Sequence, residues 1–400
     1  MRPHLQYALP ISLSIILAFA TCTVFVRDAW PLACFQIAVF ALLAIAALTL
    51  DWPQRPQLAG FLPVLLPFWG LLQLLTGSTS STSETRSAIL RLGALVAVYI
   101  LAFRLSNQES ARRVFLNGFV WFATASAVLC LTQLFTSNGQ VLWLFDTGYP
   151  DVYGTFPYYN NYAQFVELAL PIALWRALTD RRHAWAYAVA GGTLYASAIG
   201  CASRAGSILA TLELIAILLV GLVHFRGSRS EERPRLGIAT LAIVPVIAIA
   251  FTAVVGWDRV WQRFFVNDPY VVRREFLIAA TSMVKQRPWI GFGLDTFPEV
   301  YQRYAIKDFP FYANHAHNDW AEAAAEGGLP FLAILFIPFA IAVPKAIRHP
   351  WALGLAAVMF HACVDYPFAR PAVSGWMFAL LGLIYATERS THQDPLDQSG

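Results

Sequence analysis

The sequence predicts an all-α polytopic membrane protein of about 12 transmembrane helices, with one large outer loop that contains short helices. Three observations lead there. Of 400 residues, 58% are hydrophobic and only 13% are charged, about half the charge of an ordinary soluble domain. Apolar runs close to the roughly 20 residues that cross a bilayer recur along the chain, and the cations between them gather on alternate loops. We expect a single transmembrane domain over residues 1–387, with no nucleic acid among its partners and membrane lipid around it.

The candidate spans are residues 7–26, 31–50, 58–76, 87–103, 114–135, 161–178, 184–200, 205–224, 236–256, 320–343, 351–366 and 371–387. The first follows only Arg2 and His4 and stays apolar from about residue 7 to 26, so it reads as a retained helix rather than a signal peptide. The last two are short, and Pro367 with Pro371 marks a tight turn between them. With an inside start, the inner segments carry fifteen cations, while the short outer loops carry only Arg27, Arg86, Arg204 and Arg370. Both termini are therefore expected in the cytoplasm.

The long outer segment, residues 257–319, has eight cations of its own. Within it Val272, Phe276, Ala279, Ala280 and Met283 recur at helical spacing, with Arg273, Arg274 and Lys285 on other faces. That pattern fits either a helix lying on the membrane surface or a cap helix packed on the bundle. The loop "GSTSSTSETRS" at 77–87 is polar and expected to be flexible, residues 136–160 are aromatic without Lys or Arg, and the tail 388–400 is expected to be disordered. Five scattered cysteines form no CxxC pair and indicate neither a disulfide framework nor a zinc ribbon. No internal repeat is evident, which weakens a transporter built from inverted repeats.

Polar residues concentrate in "NHAHNDWAEAAAEGGLP", 314–330, where the long segment enters the tenth span. Asp319 followed by Glu322 reads as a helix start, an N-cap with a carboxylate three residues on. Capping leaves His315, His317 and Asn318 unexplained. Histidine titrates near neutrality, which suits it to take a proton from a sugar hydroxyl. A zinc site would need three or four converging ligands, a set that His361 and Asp365 could complete. Glu326 is expected at membrane depth beside Gly327, Gly328 and Pro330, where a locally opened helix would line a polar cavity. Arg204 in "CASRAGS" offers a rigid fork of donors suited to phosphate, and Arg273 or Arg274 on the same side would add the second cation a diphosphate needs. His361 and Asp365, one turn apart, are expected to share a face and to bond each other. Arg91 is expected to snorkel or to pair internally.

Together "YGTFPYYNNYAQFVELALPIAL", "SRAG", Arg273 leading to "RPWIGFGLDTF", "HAHNDWAEAAAEGGLPF" and "HACVDYPFARPA" resemble the O-antigen ligase and polymerase superfamily of bacterial inner-membrane glycosyltransferases. The resemblance covers about residues 150–375. It implies about twelve transmembrane helices with a large periplasmic loop, and a donor glycan carried on undecaprenyl pyrophosphate. It also implies inverting transfer without metal or other cofactor, at the periplasmic face of the inner membrane. Arg204 and Arg273 match the family's arginines and His317, the second histidine of H-A-H-N, matches its histidine. Leu277 stands where the family often has tryptophan and Arg274 doubles the basic residue, so Arg273 and Arg274 stay alternatives for the phosphate.

The resulting expectation is that Arg204 with Arg273 or Arg274 binds the diphosphate, His317 takes the acceptor proton, and His315, Asn318 or Glu322 orients its ring. Glu326, His361 and Asp365 would support them. The acceptor separates an O-antigen ligase using lipid A core from a polymerase using a growing glycan chain and from a protein O-oligosaccharyltransferase; the ligase leads. A polyprenyl-lipid or polysaccharide transporter is the alternative of another class, but it would line the helix interiors with charge, and here polar residues gather at one end. An intramembrane protease would need a G-x-S-G or paired-aspartate motif that does not occur.

Overall fold

A computed structural model describes residues 5–49, 58–105, 108–180, 182–225, 241–255, 270–307, 309 and 312–392. The helices are α1 (Leu5–Cys22), α2 (Trp30–Thr49), α3 (Leu65–Leu75, led in by short turns from Leu58), α4 (Thr82–Leu105), α5 (Glu109–Thr136) and α6 (Tyr159–Thr179). They continue as α7 (Ala184–Gly200), α8 (Arg204–Phe225), α9 (Ile243–Val255), α10 (Val271–Gln286), α11 (Phe297–Tyr301), α12 (Asp319–Arg348), α13 (Leu353–His361) and α14 (Pro371–His392). Helix occupies all or part of every expected span. Among the described residues, five helices are long and apolar enough to cross a membrane by length and composition: α2, α4, α5, α8 and α12. The protein is an all-α membrane protein, and twelve crossings remain an expectation.

The bundle core is aromatic as well as aliphatic. Trp376 of α14 is fully buried and stacks on Phe119 of α5 with centroids 4.0 Å apart, while its indole N–H donates to Thr21 Oγ1 at 3.1 Å. A buried indole needs such a partner to avoid leaving its N–H unsatisfied. α14 runs on to His392, into the tail expected to be disordered, and residues 393–400 lie outside the described residues.

α10 is a packed cap helix. Phe276, Ala279, Ala280 and Met283 are buried in a second hydrophobic cluster with Phe292, Phe297 and Tyr301. A surface-lying helix would leave that face to lipid; here α11 and the start of α12 cover it. Residues 257–269, 308, 310 and 311 of the expected long loop lie outside the described residues.

The "IGFGLD" and "AEGGLP" stretches grip each other. Phe292 N donates to Ala325 O at 3.1 Å, Gly293 N to Glu326 O at 2.9 Å and Leu329 N to Pro288 O at 2.8 Å. α12 breaks at Gly328 (φ 78°, ψ 173°), which frees the backbone groups that accept this strand-like partner. The Glu326 carboxylate accepts from Asp295 N at 2.9 Å and Phe297 N at 2.8 Å. Glu326 therefore holds the loop and the first turn of α11 in place; as expected it lines a polar cavity, with Arg91, Asp295, Asp319 and Glu322, but not the cavity described below. Buried Gln73 adds donations to Ile290 O and Glu326 O and accepts from Leu294 N. The loop at 77–87, expected to be flexible, is anchored as well: Ser80 N donates to Phe292 O at 2.7 Å and Thr85 Oγ1 to Leu294 O at 3.2 Å. Arg91 pairs with Asp295 and donates to Phe368 O.

Gly291 shows how little room this junction has. Its φ is +70°, and a Cβ there would lie 2.1 Å from Glu326 O. Gly291→Ala combines left-handed strain with a clash against backbone, so it is expected to cost about 3 kcal/mol or more. Thermal unfolding in detergent should show the loss, whereas Gly77→Ala, also at positive φ but in open space, should lose only the strain.

Candidate active site

Three helix starts and one turn meet at one end of the bundle around a cavity of about 200 Å³. Tyr158, Tyr159 and Asn160 come from the start of α6, Arg204 from the start of α8, Tyr270 and Arg273 from the start of α10, and His317 from the turn before α12. Residues separated by more than a hundred positions are thus brought to one wall. The two guanidinium carbons lie 6.0 Å (Arg204) and 5.7 Å (Arg273) from the centroid of the Tyr270 ring, whose π face attracts both. Arg274 points to the exposed side of α10 and does not line the cavity.

Local chemistry explains "SRAG". Ser203 Oγ accepts from Gly206 N at 3.1 Å, an N-cap that leaves Arg204 as the first helical residue. Ser203 Oγ also donates to Asn160 Oδ1 at 2.7 Å, and Asn160 Nδ2 to Tyr158 OH at 3.1 Å, so the cap is tied to the start of α6. Gly206 permits this approach, because a Cβ there would come within 2.4 Å of Ala163 Cβ. The start of α8 therefore presents Arg204 and the positive end of a helix dipole together at the cavity.

His317 sits at φ +51°, a left-handed conformation that costs a non-glycine residue roughly 1–2 kcal/mol. Its Nδ1 is 3.1 Å from Asp365 Oδ1, and its ring is walled by Phe276, Tyr158 and Tyr366. With Nδ1–H donating to the carboxylate, Nε2 carries the lone pair, as a proton acceptor requires. Asp365 is fully buried; Oδ1 also accepts from Tyr366 N at 3.0 Å, while Oδ2 faces Arg273 Nη2 at 4.0 Å. One carboxylate therefore connects the imidazole to a cavity arginine.

The other polar residues of the H-A-H-N block have structural partners, and several differ from the expected ones. Asn318, not Asp319, caps α12: its Oδ1 accepts from Ala321 N at 3.0 Å and its Nδ2 donates to Cys363 O at 2.9 Å. Its extended backbone suits the cap position. Asp319 is already helical, and its carboxylate accepts from Phe368 N at 2.8 Å. Glu322 reaches back to His315 Nδ1 at 2.9 Å and to Ala316 N, while the His315 ring stacks on Tyr366 at 4.4 Å. These bonds fix the turn that carries His317, and none of the three side chains of His315, Asn318 and Glu322 touches its ring nitrogens.

His361 and Asp365 do not bond each other. α13 ends at His361, and the chain turns through residues 362–366, so the i, i+4 relation of a continuous helix is lost. His361 Nδ1 instead meets Glu167 Oε1 of α6 at 2.7 Å, with both side chains fully buried. Glu213 of α8 lies within electrostatic reach of Glu167, and neither of its carboxylate oxygens has a hydrogen-bond partner among the described residues. Removing one member of a buried pair such as His361–Glu167 typically costs about 3–5 kcal/mol.

Electrostatics keep the turn residues in defined states. Burial pushes the Tyr158 phenol well above its ordinary value, and the nearby Asp365 charge adds to the effect; burial raises Tyr366 likewise. Both therefore remain hydroxyls. Burial pushes the Asp365 carboxyl up, but the His317 hydrogen bond and the charges of His317, His361 and Arg273 outweigh it and hold the group below its ordinary 3.8. A depressed carboxyl contributes stability that is present above the unfolded-state value and is lost as pH falls through the folded one. The melting-temperature gap between wild type and Asp365→Asn is accordingly expected not to narrow from neutral pH down to the ordinary value of 3.8, and to close below it.

Sequence reasoning did not single out Tyr158, Asn160, Tyr270, Glu167 or Glu213. For the two glutamates a signal existed, since a lone carboxylate inside an apolar helix is a functional candidate by default. Tyr158 and Asn160 lay within the quoted "YGTFPYYNNY" but carried no individual mark.

Residues 191–336 match the family described as O-antigen ligase. No curated protein matches the chain. The matched segment contains Arg204, Arg273 and His317, whereas Asp365 and the start of α6 lie outside it. The likeness to the O-antigen ligase family thus covers residues 191–336 of the chain.

Proposed function

We propose that this protein transfers a glycan from undecaprenyl pyrophosphate to an acceptor hydroxyl, with lipid A core as acceptor and hence as an O-antigen ligase of the bacterial inner membrane. The reading is supported by one observation above all: Arg204, Arg273 and the Asp365-bonded His317 line the same cavity. The acceptor O–H gives its proton to His317 Nε2 as its oxygen attacks the anomeric carbon of the donor sugar. The bond from that carbon to the diphosphate oxygen breaks, and its electron pair stays on the diphosphate. Arg204 and Arg273 then face the growing negative charge, where preorganised cations act most strongly. A single displacement of this kind inverts the anomeric carbon, and two guanidiniums supply the counter-charge that a divalent cation would otherwise bring.

The test incubates purified full-length protein with undecaprenyl-pyrophosphate glycan and, separately, lipid A core, lipid-linked glycan or a serine-containing protein. Transfer to lipid A core, with the anomeric configuration opposite to the donor's by NMR and full activity in EDTA, is the expected outcome. Transfer only to lipid-linked glycan would make the protein a polymerase. Retention of configuration, or loss of activity in EDTA with recovery on added zinc, would overturn the mechanism.

A further inference from the structure

The opposite end of the bundle holds a second pocket. α6 starts beside Tyr158 in the candidate active site and ends past Arg176; α12 starts at Asp319 and ends at Arg348. At about 1.5 Å per residue, the 21 residues of α6 reach roughly 30 Å. The second pocket is thus a full helix length from His317 and takes no part in its chemistry.

This pocket encloses about 230 Å³, and Arg112, Arg113, Arg176 and Arg348 line it together with Trp175 and Trp351. Among the described residues Glu109 is the one acid in its wall, and it bonds Arg113 at 2.7 Å. Asp180, close to Arg176, accepts from the backbone of Arg182 and His183 through Oδ1. Arg112 and Arg176 are half-buried and repel each other. Among the described residues, four guanidiniums and one carboxylate thus share the wall of a cleft where water is partly excluded. Guanidinium cannot relieve this by losing its proton, and its planar donors match phosphate oxygens. Leu116 and Ile172 make part of the wall apolar, and indoles such as those of Trp175 and Trp351 favour the boundary between headgroups and hydrocarbon. A free phosphate would use the arginines alone; a phospholipid would use the arginines, the indoles and the apolar wall.

We propose that this pocket binds the phosphate headgroup of an anionic phospholipid from the leaflet at that end, joining the ends of α5, α6 and α12 through one lipid. The inference does not depend on the reaction proposed above.

The full-length protein in detergent is titrated with short-chain phosphatidylglycerol, with phosphatidylcholine of the same chain length, and with inorganic phosphate or pyrophosphate. Binding is read by native mass spectrometry and by thermal unfolding. Phosphatidylglycerol is expected to bind and raise the melting temperature, and the others to leave it unchanged at equal concentration. Arg112→Gln with Arg176→Gln should weaken phosphatidylglycerol about tenfold or more, in line with the contribution of basic residues at anionic lipid surfaces. Should that pair fail to fold, Arg113→Gln with Arg348→Gln, both at exposed positions, should weaken it in the same direction. Arg204→Gln, at the other end, should bind phosphatidylglycerol as wild type does. Equal binding of phosphatidylcholine, an equal response to inorganic pyrophosphate, or wild-type lipid affinity in whichever arginine pair folds would each overturn the proposal.

Discussion

Replacing His317 with alanine is expected to lower kcat for glycan transfer by about 10²–10⁴, the usual contribution of a positioned general base. KM for the lipid-linked donor should change less than kcat, because in the proposed reaction the diphosphate meets Arg204 and Arg273 and not the imidazole. A mutation that lowers kcat and kcat/KM together has removed an interaction made only in the transition state. Asp365→Asn should lower kcat by less, since the imidazole survives but the carboxylate that selects its tautomer is gone. Transfer at the wild-type rate by His317→Ala to every acceptor would remove the base from the mechanism, whatever the donor proves to be.

The second large effect is expected at the arginines. Arg204→Ala and Arg273→Ala should each cost about 10²–10³ in kcat, comparable to the loss of one preorganised donor at a developing negative charge. Arg273 should be the more sensitive of the two, because it faces both the cavity and the buried Asp365 carboxylate. Lysine should rescue neither fully, as a compact ammonium cannot reproduce the planar fork. Arg274→Ala, on the exposed side of the same helix, should transfer glycan at close to the wild-type rate. A loss at position 274 as large as at 273, measured on the same donor, would show that the cavity binds diphosphate in another way.

Much of this was legible in the chain, for identifiable reasons. Apolar runs marked the helices because a lipid-facing segment has few alternatives to helix. Arg204, Arg273 and His317 stood out because each combines a charged or titratable group with small or polar neighbours at the edge of an apolar run. Their partners were harder to read. Asp365 was expected to bond His361 on the assumption that α13 continues, but the helix stops at His361 and its C-terminal turn delivers the carboxylate to His317 instead. The cap of α12 was displaced by one residue because Asn318 and Asp319 are both good cap types, and only backbone conformation separates them. The loop at 77–87 looked flexible from its composition, yet its anchors lie more than two hundred residues away at Phe292 and Leu294. Pairings of that range leave no local trace.

The break in α12 also changes how deep the site lies. Unbroken, 30 residues would extend about 45 Å, half again the thickness of the hydrocarbon layer, and would draw three carboxylates into it. With the interruption at Gly328, the stretch from Leu329 to Arg348 already covers roughly 30 Å on its own. Asp319, Glu322 and Glu326 then need not be carried into hydrocarbon; they are buried in the protein, where the backbone N–H groups of Phe368, Ala316, Asp295 and Phe297 offset the cost. Under the proposed function, His317 would then lie near the level where the donor's lipid tail gives way to its diphosphate, within reach of an acceptor arriving from the aqueous side.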